Sequence, residues 1–276
     1  MGVLLERSGH RVVAASGRSA TEERVRRYLL FAPFTQLEDV HVVAQAADVV
    51  LLGVPDDRIA EVCAALAAEG VFREGQTAVH CSGSVGLDAL ALAEERGAVA
   101  LSLHPLLTFP DVMDGIQRLP GSSVAVTARG ELGYEQGESF ARDVGAIPFR
   151  LPDEVKPLYH AAAVFCSNYL VAVEGAAEEL FRRAGLDDPV PRFEPLARAA
   201  LDAAIALGPR RALTGPAARG DLGTIARNLR ALAARGPEFV EAYVALARVA
   251  GRLAVEDGRL SERDHERLEE VLGEWK

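Results

Sequence analysis

Short apolar runs alternate with amphipathic stretches from the start of the chain to about residue 152, and the alternation then stops. The runs Arg11–Ser16, Asp48–Pro55, Gln76–Ser82, Ala98–His104, Ser122–Thr127 and Ala146–Leu151 predict strands. Amphipathic stretches between them predict helices over Ala20–Leu30, with Ser19 or Thr21 as N-cap, over Asp57–Ala68, over Leu87–Arg96, and between the last two strands. Near-continuous apolar strands alternating with helices imply a parallel sheet covered on both faces. Beyond Pro152 only helical periodicity is left, predicted over Lys156–Ala184, Glu194–Leu207, Leu222–Ala234, Glu238–Val255 and Glu262–Leu272, with Pro and Gly punctuating the gaps. The expected fold is α/β, a Rossmann-type parallel sheet domain over residues 1–152 followed by an all-α domain over 153–276.

Composition narrows the class. Apolar residues make up 49% and charged residues 25%, a soluble globular balance with enough material for a core in each domain. Thirty Lys plus Arg against forty Asp plus Glu leave a formal charge of −10, which argues against a nucleic-acid or anionic-membrane partner. The three cysteines, Cys63, Cys81 and Cys166, show no Cys-x-x-Cys spacing and fit a reducing compartment. With no signal peptide and no apolar run of membrane-spanning length, a cytoplasmic location is expected. A metal site from His80, His104 and His160 is not expected, because no i, i+4 His pair or Cys cluster supports it.

Ligands of open parallel sheets bind at the carboxyl ends of the strands, so the polar residues after each run are the candidates. They are Ser16-Gly17-Arg18-Ser19, Val54-Pro55-Asp56-Asp57, Ser82-Gly83-Ser84 and His104-Pro105. A dinucleotide fold normally carries G-x-G-x-x-G between its first strand and helix, and this sequence contains no such motif. Residues Gly2 to His10 look like the end of that first helix, turning at Ser8-Gly9-His10 into the strand at Arg11. The first strand and glycine loop are therefore expected to be missing, through a start assigned downstream or through loss. The former is favoured, since a missing central strand leaves its neighbours unpaired. At the end of the Arg11 strand an NAD-selective site places Asp or Glu. Here Ser16, Arg18 and Ser19 offer hydroxyls and a guanidinium suited to the 2′-phosphate of NADP. An N-cap turn with a solvated arginine explains the same residues.

Four stretches carry a family resemblance: His80-Cys81-Ser82-Gly83, Leu103 to Phe109, Tyr159-His160-Ala161-Ala162-Ala163 through Ser167-Asn168-Tyr169-Leu170, and Ala212 to Asp221. In this order they resemble a bacterial family of Rossmann-like proteins with a helical C-terminal domain of unknown function, described as NADP oxidoreductases. That family is distantly similar to prephenate dehydrogenase, pyrroline-5-carboxylate reductase and the β-hydroxyacid dehydrogenases. The resemblance implies the fold, NADP as cofactor and a homodimer formed through the helical domain.

His104, ending a strand and followed by Pro105, resembles the His-Pro of prephenate dehydrogenases, whose histidine contacts the reacting hydroxyl. An imidazole titrating near neutrality suits general acid/base work; a structural histidine bonded to a carbonyl is the plainer alternative. Val54, Pro55, Ser82 and Gly83 are expected to border the cofactor, although Ser82-Gly83 also fits an ordinary strand-to-helix turn. Lys156, His160 and Ser167 fall near one face of the expected helix, with Asn168 one step further round. The β-hydroxyacid dehydrogenases place a catalytic Lys four residues before an Asn, where this chain has Val164, so Asn168 and His160 are the expected substrate contacts. Lys156 reads equally as a solvated charge at a helix start. Arg219 suits a substrate carboxylate, or forms a network with Asp221, the expected N-cap. The expectation is hydride transfer between NADP and a small, anionic hydroxy-, keto- or imino-acid, with a dinucleotide-binding sensor or scaffold as the alternative.

Overall fold

The computed structural model describes residues 1–16, 28–32, 35–37 and 39–275, which form two compact units, Met1–Leu170 and Val171–Lys276. The first unit therefore includes the helix starting at Lys156, which the sequence assigned to the second domain. Arg18, Ser19 and most of the helix expected over Ala20–Leu30 lie outside the described residues.

Five strands of the first unit form one sheet in sequential order: β3 (Val49–Leu52), β4 (Thr77–His80), β5 (Val99–Pro105), β6 (Ser123–Ala128) and β7 (Ile147–Arg150). The parallel register sets Leu52 against His80, and His80 against Ser102; β3 and β4 end level there, while β5 runs on to Pro105. Alternate residues face opposite sides. Val50, Leu52, Ala78 and Ala100 pack with Ile59, Cys63 and Leu66 on one face, while Val79, Leu101, Leu103 and Val126 pack with Ala141 and Val144 on the other. Gly137 lets the helix Gly130–Asp143 lie close to that second face, since a Cβ there would stand 2.5 Å from Val126 Cγ1.

Direction reverses between β5 and β6, which pair antiparallel, with His104 opposite Ala125. The segment joining them holds only the seven-residue helix Val112–Arg118, which the sequence pattern did not predict. Seven helical residues rise about 10 Å, against about 23 Å for the seven residues of β5. The chain is thus not carried back along β5, and β6 starts where β5 ends.

Among the described residues, the other two strands, β1 (Ala14–Ala15) and β2 (Gln36–Leu37), pair parallel with each other alone, and β3 pairs with β4 alone. Of the strand expected over Arg11–Ser16, two residues are extended. Among the described residues no strand pairing joins β1 to β3.

In the second unit, helices Leu222–Ala233, Pro237–Glu256 and Glu262–Gly273 bury Ile225, Leu229, Ala254, Leu268 and Leu272 in one core. Helix Val190–Leu207 buries none of its eighteen residues. The long helix expected over Lys156–Ala184 is two, Lys156–Cys166 and Asn168–Arg183, parted at Ser167, which has φ −123° and ψ −67°. The Ser167 hydroxyl donates to the Ala163 carbonyl at 2.9 Å, the back-bonding that bends helices. No described helix is long and apolar enough to cross a membrane.

Candidate functional site

Chemistry-bearing side chains gather at the sheet edge after β3, β4 and β5, with the Lys156–Cys166 helix packed against them in the same unit. Register supplies the first of them: Ser82 lies two residues past His80 and His104 two past its partner Ser102, and the turn after β3 brings Asp56 to Ser82. Ser82 is buried, and its hydroxyl donates to Asp56 Oδ2 at 2.6 Å while accepting from the backbone N–H of Ser84 and of Val85. Ser84 Oγ donates to the same carboxylate oxygen at 3.2 Å. These bonds shape the turn that opens the Leu87–Leu90 3₁₀ segment. Asp153 ties it down from the far side, accepting from the Leu87 N–H at 3.1 Å.

Lys156 is completely buried, which overturns its reading as a solvated charge. Its Nζ donates to Ser102 Oγ at 2.7 Å and to the Ser82 carbonyl at 3.0 Å. Among the described residues no carboxylate contacts it directly. Burial, opposed only by the more distant Asp153, Asp56 and Cys81, brings its pKa from the usual lysine range down to about 8. The ammonium is thus a cation held beneath the strand ends.

Above it stand the two imidazoles. His104 Nδ1 is 2.8 Å from the Tyr159 hydroxyl, and the His104 and His160 rings meet edge to face at 6.0 Å between centroids. Gly83 lies under both: a Cβ there would stand 2.7 Å from His104 Nε2 and from His160 Cδ2. Only glycine fits, and its buried backbone faces the rings. Burial, then the Lys156 cation, then His160 push His104 down to about 4, so its imidazole is neutral at physiological pH. Burial and Lys156 do the same to His80, whose Nδ1 accepts from the Ser82 N–H at 3.2 Å. Beside His104 a cavity of about 360 Å³ is lined by Met1, Cys81, Pro105, Leu107, Phe109 and Leu119. It is largely apolar, and His104 is its polar wall.

The sequence candidates divide accordingly. Ser82, Gly83, His104, His160 and Lys156 come together. Val54 is half-buried against the first core, and Pro55 caps the 3₁₀ turn carrying Asp56. Ser16 is exposed at the end of β1. Ser167 does not join the expected stripe, because it ends the helix. Asn168 is exposed, with its Oδ1 2.9 Å from Ser167 Oγ. Arg219 is exposed in the second unit. The expected Arg219–Asp221 network does not form: Asp221 is the N-cap, but it accepts from the Thr224 N–H at 3.0 Å and hydroxyl at 2.7 Å.

Residues 1–105 match the Rossmann-like domain family, and residues 122–250 match a domain of unknown function, DUF2520. The two matched segments give the chain a Rossmann-like domain followed by a domain of the DUF2520 kind. Among solved structures it is similar to a proposed NADP oxidoreductase from Bacteroides fragilis at 24% identity, covering 91% of this chain and 92% of that one, with a TM-score of 0.74. A Thermotoga maritima protein is similar at 22% identity over 88% and 90% of the two chains, with a TM-score of 0.65. An imine reductase from Myxococcus stipitatus, solved with NADP+, is similar at 16% identity over 97% and 95%, with a TM-score of 0.63. At these identities the likeness is one of fold. No curated protein matches the chain.

Sequence reasoning did not single out Tyr159 or Ser102 as site residues. Ser102 had a readable signal, a lone hydroxyl inside an apolar strand. Tyr159 had only its place in a motif, because a helical tyrosine meets a strand-end histidine 55 residues away through packing alone.

Proposed function

We propose that this chain is a cytoplasmic, homodimeric NADP-dependent oxidoreductase that moves a hydride between the nicotinamide and a small hydroxy-, keto- or imino-acid. The observation that carries the proposal is Gly83, bare backbone beneath two imidazoles at the carboxyl edge of a Rossmann-like sheet. Bare backbone at residue 83 lets both imidazoles close on the sheet edge where folds of this type hold their ligand, and any side chain there would displace them. Val54, Pro55, Ser82 and Gly83 would hold the nicotinamide end. The hydroxyls of Ser16 and Ser19 and the guanidinium of Arg18 are the sequence grounds for NADP over NAD. The Bacteroides fragilis and Myxococcus stipitatus proteins, described with NADP in their names or complexes, support the same cofactor.

The bound dinucleotide would supply or take up the hydride. His104, neutral at physiological pH, would hydrogen-bond the substrate oxygen or nitrogen, whose proton would come from solvent on reduction and return to solvent on oxidation. Lys156 holds the Ser82 carbonyl and Ser102 in place, and Asp56 holds the Ser82 and Ser84 hydroxyls, so Gly83 is fixed from both sides. Asn168 and Arg219 enter no step here. The homodimer is supported by helices Asn168–Arg183 and Val190–Leu207, which bury no residue and expose Val171, Leu196 and Ile205 among others. Apolar helices of this kind gain stability by covering that face.

The test is NADPH titration by fluorescence, followed by NADPH oxidation over a panel of keto and imino acids with His104→Ala as control. Turnover that falls about 10²-fold or more in the variant is expected. Binding without turnover would make the chain a dinucleotide sensor instead, and full activity in the variant would remove His104 from the site.

A further inference from the structure

His104 has two ring nitrogens and, being neutral, one ring proton. Nδ1 meets the Tyr159 hydroxyl at 2.8 Å. No other described side chain or backbone group bonds to this hydroxyl, and none bonds to Nε2. Two arrangements satisfy the contact. If Nδ1–H donates to the phenol oxygen, the phenolic proton is left without a described acceptor, and Nε2 presents a lone pair over Gly83. If the phenol donates to Nδ1, one bond uses both groups, and Nε2 carries the ring proton on the side of Gly83. The second arrangement leaves no donor stranded in a partly buried place, where an unmade bond is costly. Burial also holds the Tyr159 phenol protonated, pushing it up to about 12, so the donor is present at any physiological pH.

We propose that Tyr159 is a positioning residue that sets the tautomer of His104, its phenolic O–H donating to Nδ1 so that Nε2–H is the donor aimed over Gly83. The edge-to-face packing of the two rings, 5.5 Å between centroids and 87° apart, holds the phenol at the ring edge where this bond forms. Phe149 braces Tyr159 from the other side, 6.0 Å away. His104 then offers the site a neutral hydrogen-bond donor that recognises a carbonyl oxygen, a hydroxyl oxygen or an unprotonated imine nitrogen. A protonated iminium, itself a donor, is not matched by it. The site is thereby set for acceptor atoms. The use of this donor on a substrate rests on the oxidoreductase proposal; the tautomer does not.

The experiment is nitrogen-15 NMR of the imidazoles in the full chain at pH 7, without cofactor or substrate. Wild type is expected to show a pyridine-type Nδ1 and a pyrrole-type Nε2 at His104. In Tyr159→Phe both signals move toward the mixed-tautomer average, because the preference of about five- to tenfold that one hydrogen bond supplies is lost. His80 is the internal check on folding, since its Nδ1 accepts from a backbone N–H away from Tyr159 and keeps its pattern in a folded variant. If the variant loses the His80 pattern as well, the wild-type tautomer decides alone. A pyrrole-type Nδ1 in wild type, or an unchanged His104 pattern in a folded Tyr159→Phe, overturns the proposal. Failure of the chain to bind NADPH would overturn the oxidoreductase reading and leave the tautomer standing.

Discussion

Lys156 donates to the hydroxyl of Ser102 at 2.7 Å, joining the start of a helix to the middle of the longest strand across 54 residues of chain. Ser102 in turn donates to the Ser82 carbonyl, which also accepts from Lys156, so three elements meet in one triangle beneath Gly83. Among the described residues the cation has no contacting carboxylate, and its field acts on His80 and His104.

Replacing Lys156 by Met is expected to raise the half-protonation of His104 and His80 from about 4 toward, without reaching, the ordinary value. The shift is partial because burial, the larger cause, stays. NMR titration of the two imidazoles reads it; unchanged midpoints would show that Lys156 exerts no such field.

Gly83→Ala should be damaging out of proportion to one methyl. Its Cβ would stand 2.7 Å from His104 Nε2 and His160 Cδ2, so the rings must move. A stability loss of about 1–3 kcal/mol is expected from overpacking, and an activity loss on the order of 10²-fold from displacing His104. Thermal unfolding and the NADPH assay measure the two, and a fully active variant would refute the close approach.

Acid should weaken the fold between pH 6.5 and 4. His80 and His104 stay neutral in the folded chain down to about 4, whereas unfolded histidine takes up a proton below about 6.5. The unfolded state binds more protons in that window, so stability falls as pH drops. His80, completely buried, contributes on the order of 3 kcal/mol of that loss. Urea unfolding at a series of pH values should give a flatter dependence for His80→Gln, and an equally steep one would take His80 out of the account.

The apolar face of helix Val190–Leu207 gives a direct test of association. Leu201 and Ile205 are 46% and 75% exposed and stand four residues apart on one side. Glutamates at both positions should turn a dimer into a monomer in light scattering. A wild-type monomer, or a double variant that still dimerises, would move the interface elsewhere.

Periodicity was enough to place β3, β4, β5, β6 and β7 and the three helices of the second core, because each buries a side set by its own local repeat. It also marked Ser82, Gly83 and His104 as candidates, since the carboxyl ends of neighbouring parallel strands bring their residues to one edge. The break at Ser167 was not readable, because a hydroxyl that bends a helix and one that points to solvent look alike in sequence.

Direction and depth were decided in three dimensions. The antiparallel turn into β6 depended on how far a seven-residue helix reaches beside β5. Lys156 looked like any charge at a helix start until packing closed over it. Tyr159 gained its meaning only from the histidine that folding set against it. Local repeats state which face of an element avoids water; what a buried polar group touches depends on segments far along the chain, and only their packing supplies that partner.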